Sequence, residues 1–324
     1  MRISRSILTA AMLLATPCWA GTTLASKFEG NRVYVMPRAA NGVTLTFYTD
    51  SGGGFLLGAD AAARLNLPTK PLDDPDAKAE LGPDAKTAQF PSFAKNEPIP
   101  PPPQQQVAVV PQVRQLPQWP TQGDGILGQD WFGGHVWTWD YPAQTFTLED
   151  TDFAAPKAGH RVALGFKTKA DGTRETNFPR IVIGIDGVGI PVLLDTGAET
   201  YLTPAALAAV NDGGPQFRAT SMIAASLFDA WHAKHPDWRV IDDAQTATHS
   251  PMIEVPSVTI AGYAVGPVWF TKRADVNFQK YMSAMMSGPV EGALGGNALR
   301  HFRMTVDYPR ATAWLTCTKE CGTN

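Results

Sequence analysis

The sequence predicts an all-β protein of two pseudo-symmetric lobes with a few short helices. Three observations carry that expectation. The 324 residues are 44% hydrophobic and include 29 Gly and 27 Pro, a balance that favours many short strands and turns over long helices. A block near residue 125 recurs near residue 292. Two apolar runs, one in each half, end in an acid, a small hydroxyl residue and a glycine. The length suffices for two lobes with substantial cores. The formal net charge of −3 shows no basic excess and argues against a nucleic-acid partner.

At the N-terminus, Arg2 and Arg5 precede a short apolar run, Ile7 to Ala15, and Ala20 is a small residue at a cleavage point. Residues 1–20 are therefore expected to be a signal peptide, and the protein to be exported, periplasmic or extracellular. No later segment is apolar and long enough to cross a bilayer, so no stable membrane insertion is expected after removal of the signal. Residues 21–150 form the predicted N-terminal lobe. Val43 to Thr49 is an apolar, β-branched run leading to Asp50-Ser51-Gly52, and Asn41-Gly42, a hairpin turn signal, lies just upstream. The stretch 89–120 interrupts this lobe. Its unbroken run of four prolines, Pro100 to Pro103, and the three following Gln point to a polyproline-type or disordered segment, with "QQVAVVPQV" and Trp119 as candidates for a flap strand and a cleft cover.

The first copy of the repeat is "GILGQDWFGGHVWTWDYPAQTFTL", Gly125 to Leu148. The second is "GALGGNALRHFRMTVDYPRATAWL", Gly292 to Leu315, at an offset of 292 − 125 = 167. Both open on Gly-x-Leu-Gly, where Gly suits close packing and Leu a core, and both carry an Asp-Tyr-Pro turn. Trp137, Trp139 and Trp314 are expected in the core. Residues 151–160 turn polar and read as a linker. The C-terminal lobe, 161–324, has its own hairpin signal at Asp186-Gly187, nine residues before Asp195-Thr196-Gly197, as Asn41 is before Asp50. "SMIAASLFDAWHAKH" and "NFQKYMSAMMSG" read as helices, and Met282, Met285 and Met286 as core or cleft lining. Tyr263 sits near a Gly turn. His232 and His235 lack an acidic third ligand and read as surface residues. Cys317 and Cys321 are the two cysteines left after signal removal, and in an oxidising compartment they are expected to close a small disulfide loop worth about 2 kcal/mol.

Two carboxylates on equivalent loops of two similar lobes can meet at a twofold axis. Like charges that close cannot both ionise easily, so the pair shares a proton. One acid then serves as base and the other as acid near the same water. Asp50-Ser51-Gly52 and Asp195-Thr196-Gly197-Ala198, each with a Gly-x-Leu-Gly block downstream, resemble the pepsin-like and retropepsin-like aspartic peptidases. The resemblance covers the mature chain in outline and is specific in those four blocks. It implies Asp50 and Asp195 as the catalytic pair and Ser51 and Thr196 as the hydroxyls bracing it. It also implies Gly52, Gly197 and Ala198 along the substrate backbone, and Glu199 against substrate or an internal arginine. The expected function is aspartic endopeptidase action on a peptide or protein substrate, without metal or organic cofactor. A monomer suffices, because both acids belong to one chain. In contrast to pepsin-like enzymes, no tyrosine lies between Leu67 and Gly123, where their flap would be. That departure motivates an alternative, a non-catalytic protein that holds peptide or glycan in the same cleft. A third reading is an envelope protein tethered by its proline tract.

Overall fold

The computed structural model describes residues 21–114 and 116–323; the expected signal peptide, 1–20, lies outside them. The architecture is all-β and bilobal, with short helices. A six-stranded antiparallel sheet joins the lobes, in the order Gly21–Thr23, Thr145–Glu149, Val136–Asp140, Phe302–Asp307, Thr312–Cys317, His160–Ala163. Its two central strands pair Thr138 with Thr305, and the two hydroxyls lie 2.7 Å apart. Because 305 − 138 = 167, the offset of the sequence repeat, a pseudo-twofold axis runs between these threonines. Trp137, Trp139 and Phe146 are fully buried around them, the expected core position for both tryptophans.

Each lobe repeats one strand plan on its own sheet. In the N-terminal lobe Phe47–Thr49 runs parallel to Gly125–Leu127, while Leu56–Gly58 lies antiparallel to Gly125–Leu127 and parallel to Gln106–Val110. In the C-terminal lobe Val188–Leu194 runs parallel to Gly292–Leu294, while Ser221–Ala224 lies antiparallel to Gly292–Leu294 and parallel to Val268–Arg273. Both Gly-x-Leu-Gly blocks thus supply the strand beside an aspartate-bearing strand. Their leucines, Leu127 and Leu294, are fully buried. A Cβ on Gly128 would stand 2.1 Å from the Gly53 carbonyl oxygen, and one on Gly295 1.8 Å from that of Thr220. Only glycine permits such a backbone approach. The turn before the second aspartate is the predicted Asp186-Gly187, with φ of 53° and 76°.

Three expectations change. The tract around Pro100 is folded, forming the connection between paired strands Lys86–Gln89 and Gln106–Val110. Phe90 N donates to Gln105 O at 2.7 Å, Trp131 Nε1 donates to Pro100 O at 3.0 Å, and Ile99 is buried. The prolines cannot donate to a ladder, but a rigid extended run can pack on Trp131. Gln106–Val110 is an interior strand of the sheet rather than a flap strand, with Val107 and Val109 in the core. "SMIAASLFDAWHAKH" is not one helix, because Ser221–Ala224 is captured by two neighbouring strands and the helix begins at Ala225. Val276–Met282 winds as a π-helix that continues into Ser283–Met285. Residues 150–159 lie between the strands Thr145–Glu149 and His160–Ala163, and Cys317 and Cys321 form a disulfide with Cα atoms 6.2 Å apart.

Candidate active site

Asp50 follows Phe47–Thr49, and Asp195 follows Val188–Leu194. Each is tied to the neighbouring strand in the same way: Asp50 N donates to Leu127 O and Asp195 N to Leu294 O, both at 3.0 Å. The strands carry the two loops to the axis, where the carboxyls hydrogen-bond each other. The loops brace one another reciprocally. Thr196 N donates to Ser51 Oγ at 2.9 Å and Ser51 N donates to Thr196 Oγ1 at 3.1 Å. Ser51 Oγ then donates to Leu194 O at 2.7 Å, and Thr196 Oγ1 to Thr49 O at 3.4 Å. Gly52 N donates to Asp50 Oδ1 and Gly197 N to Asp195 Oδ1, each at 2.9 Å. A Cβ on Gly197 would stand 2.0 Å from Asp50 Cγ, and one on Gly52 2.7 Å from Asp195 Cγ. The two glycines are what allow the carboxylates to meet.

Burial sets the acidity of the pair. Desolvation raises both carboxyls above the ordinary range, and for Asp50 the charge of Asp195 adds to the rise. Asp195 accepts from the Gly197 amide and Asp50 from the Gly52 amide, a matching arrangement. The pair therefore titrates as a unit that holds one proton between the two carboxyls.

Behind the dyad lies a second buried polar group. Glu199 is fully buried, accepts from Gln122 Nε2, and stands 3.7 Å from Arg32 Nη1. Of the two contacts that the sequence allowed for Glu199, the structure places it on the internal arginine, so it is not a substrate residue. Tyr48, fully buried, donates to Gly197 O at 2.9 Å and joins this group to the dyad loop. Burial pushes Glu199 up to about 8, against the opposing pull of Arg32. Arg32 stacks over Phe217 at 3.8 Å. Arg32, Tyr48 and Gln122 belong to the N-terminal lobe and Glu199 to the other, so the cluster ties the lobes together. Nothing local in the sequence marks these partners.

The cleft at the dyad holds about 300 Å³ and is lined by Asp50, Gly52, Asp195 and Ala198 together with apolar side chains and Arg273. Leu116, not Trp119, reaches it from the N-terminal lobe; Trp119 is buried edge-to-face on Phe217. Met282 lines the cleft, Met286 is core and Met285 is exposed. Tyr263 lies elsewhere, stacked on His160 at 4.1 Å. His235 bonds Asp186 and stacks on Trp238, and no cluster of ligating side chains suited to a metal occurs among the described residues. The Asp-Tyr-Pro turns contribute more than turns: Tyr141 and Tyr308 are buried close enough to the dyad for Asp195 and Asp50, respectively, to raise their pKa further beyond the effect of burial. A larger groove of about 870 Å³ runs past Gln104, Asp130, Phe166, Arg174 and Asn177 and touches neither aspartate.

No family model matches the chain, and no curated protein matches it. Among solved structures it is similar to the aspartic proteinase from Irpex lacteus, with a TM-score of 0.46 and 11% identity, over 93% of this chain and 98% of that one. A likeness so distant does not assign an activity.

Proposed function

We propose that this protein is an exported aspartic endopeptidase that hydrolyses peptide bonds with a water activated between Asp50 and Asp195. One observation carries the proposal: two buried carboxyls, brought by equivalent strands to a pseudo-twofold axis, hydrogen-bond each other inside a symmetric brace of Ser51 and Thr196. The ionised acid of the pair takes a proton from the water as it attacks the scissile carbonyl. The protonated partner gives its proton to the developing oxyanion; as the C–N bond breaks, the first acid passes the water's proton to the leaving amine and the partner recovers a proton from the diol. Desolvation keeps one proton on the pair at pH values where a free carboxyl would have lost it. Gly52 and Gly197 keep the loops low enough for an extended backbone to lie across them. The substrate is a peptide or protein, the working unit a monomer, and the compartment periplasmic or extracellular, as the N-terminal segment implies.

Cleavage of a mixed peptide library across pH 3 to 8 tests this. Activity blocked by a statine-type inhibitor and abolished in Asp195→Asn, with the fold retained, is the expected result. Undiminished cleavage by Asp195→Asn would refute it. The second reading, a protein that holds peptide or glycan without turnover, is favoured by one feature: Leu116, on an irregular segment, is what the N-terminal lobe extends over the cleft. Saturable binding with no cleavage at any pH would select it.

A further inference from the structure

We propose that Arg273 is the specificity determinant of the dyad cleft, recruiting a carboxylate of the bound peptide, either an acidic side chain one or two positions from the scissile bond or a free C-terminus. The proposal rests on the cleft being a peptide site. Arg273 ends the strand Val268–Arg273 and lines the same cavity as Asp50 and Asp195. The walls around them are mostly apolar, with Leu193, Met222, Phe278 and Met282 beside the neutral Asn277. A guanidinium in such a place calls for a counter-ion, and the described residues supply none. Its Nε donates to Met222 Sδ at 3.4 Å and its Nη1 to Gln245 Oε1 at 2.9 Å, both neutral acceptors. Among the described residues no carboxylate forms an ion pair with it. The acids nearest in sequence are otherwise engaged: Asp275 accepts from Ser226 N and Oγ, Glu291 accepts from Gln279, and Glu254 pairs with Arg239.

Burial pulls Arg273 down to about 10. It is also held in place. Gln245, fully buried, donates to Thr200 Oγ1 at 3.3 Å and accepts from Thr248, so the acceptor that orients the guanidinium is itself fixed. A pre-oriented, partly desolvated guanidinium with free donors suits a carboxylate, which it can bind through charge-assisted bonds. Met222, Phe278 and Met282 suit the methylene stem of Glu.

The test measures binding by calorimetry with four statine-core peptides: Glu or Gln beside the statine, each with a free or an amidated C-terminus. The expected result is that a peptide with either carboxylate binds about tenfold or more tightly than the Gln amide. The preference should collapse in Arg273→Gln and survive in Arg273→Lys, and the responding arm identifies which carboxylate is recruited. Equal affinity for all four peptides, a preference unchanged in Arg273→Gln, or no binding of any peptide would overturn the proposal. Should Arg273→Gln fail to fold, the wild-type peptide comparison and Arg273→Lys still decide. Because the readout is binding, an absence of hydrolysis would count against the endopeptidase function alone.

Discussion

Ser51→Ala removes one oxygen from the place where the two lobes touch beneath the dyad. That oxygen donates to Leu194 O at 2.7 Å and accepts from Thr196 N at 2.9 Å, in a region where Ser51 and Thr196 are each 1% exposed. Both backbone partners would be left without their bond and out of reach of water. A buried polar group stranded in this way costs about 1–3 kcal/mol, so two of them, with some relaxation, put the loss at about 3 kcal/mol. Thr196→Val strands Ser51 N, now bonded at 3.1 Å, and a longer bond to Thr49 O at 3.4 Å, so a smaller loss of about 2 kcal/mol is expected. Once either brace is gone the loops can separate, so the double variant should lose at least about 1 kcal/mol less than the sum. Urea unfolding of the three variants measures these values. Peptide hydrolysis measures their consequence, a fall in kcat of about tenfold to a hundredfold as the carboxyls lose alignment. Single variants within about 0.5 kcal/mol of wild type, or a strictly additive double variant, would refute the bracing role.

Two further expectations follow from the same geometry. Glu199, raised from its ordinary 4.5 to about 8, binds a proton in the folded state that the unfolded chain releases. Its contribution is fully present below pH 4.5 and is lost as pH rises through about 8; at about 1.4 kcal/mol per pH unit this is on the order of 5 kcal/mol. Glu199→Gln keeps the acceptor for Gln122 and cannot ionise, so its stability, followed by thermal melting, should decline less steeply than wild type between pH 5 and 8; parallel profiles would refute the assignment. Gly128→Ala should abolish hydrolysis, because its Cβ would meet the Gly53 and Gly54 carbonyl oxygens at 2.1 and 2.3 Å, whereas Gly54→Ala, with nothing within 4 Å of its Cβ, should stay within about twofold of wild type in kcat/KM. Loss of activity in both or in neither, measured alongside melting temperature, would contradict the packing.

Much of this protein was legible in one dimension because its duplication writes tertiary symmetry into the chain. The offset of 167 between the Gly-x-Leu-Gly blocks is the distance in sequence between Thr138 and Thr305, which meet on the axis. The small hydroxyl after each aspartate and the glycine after that recur in both copies, although the groups that demand them lie in the opposite lobe: Ser51 and Thr196 bond each other's loops, and Gly52 and Gly197 make room for the opposite aspartate. The position of Asp50 against Asp195 follows from those constraints. The helical expectation for Ser221–Ala224 failed because two neighbouring strands override local propensity, and the proline tract proved folded because Trp131, distant in sequence, packs against it. The tertiary structure alone decided that Glu199 turns to Arg32, that Leu116 rather than Trp119 reaches the cleft, and that Arg273 lines it held by the neutral acceptors Met222 and Gln245. Each of those depends on side chains far apart in sequence whose meeting no local pattern encodes, since burial and charge pairing are properties of the assembled lobes.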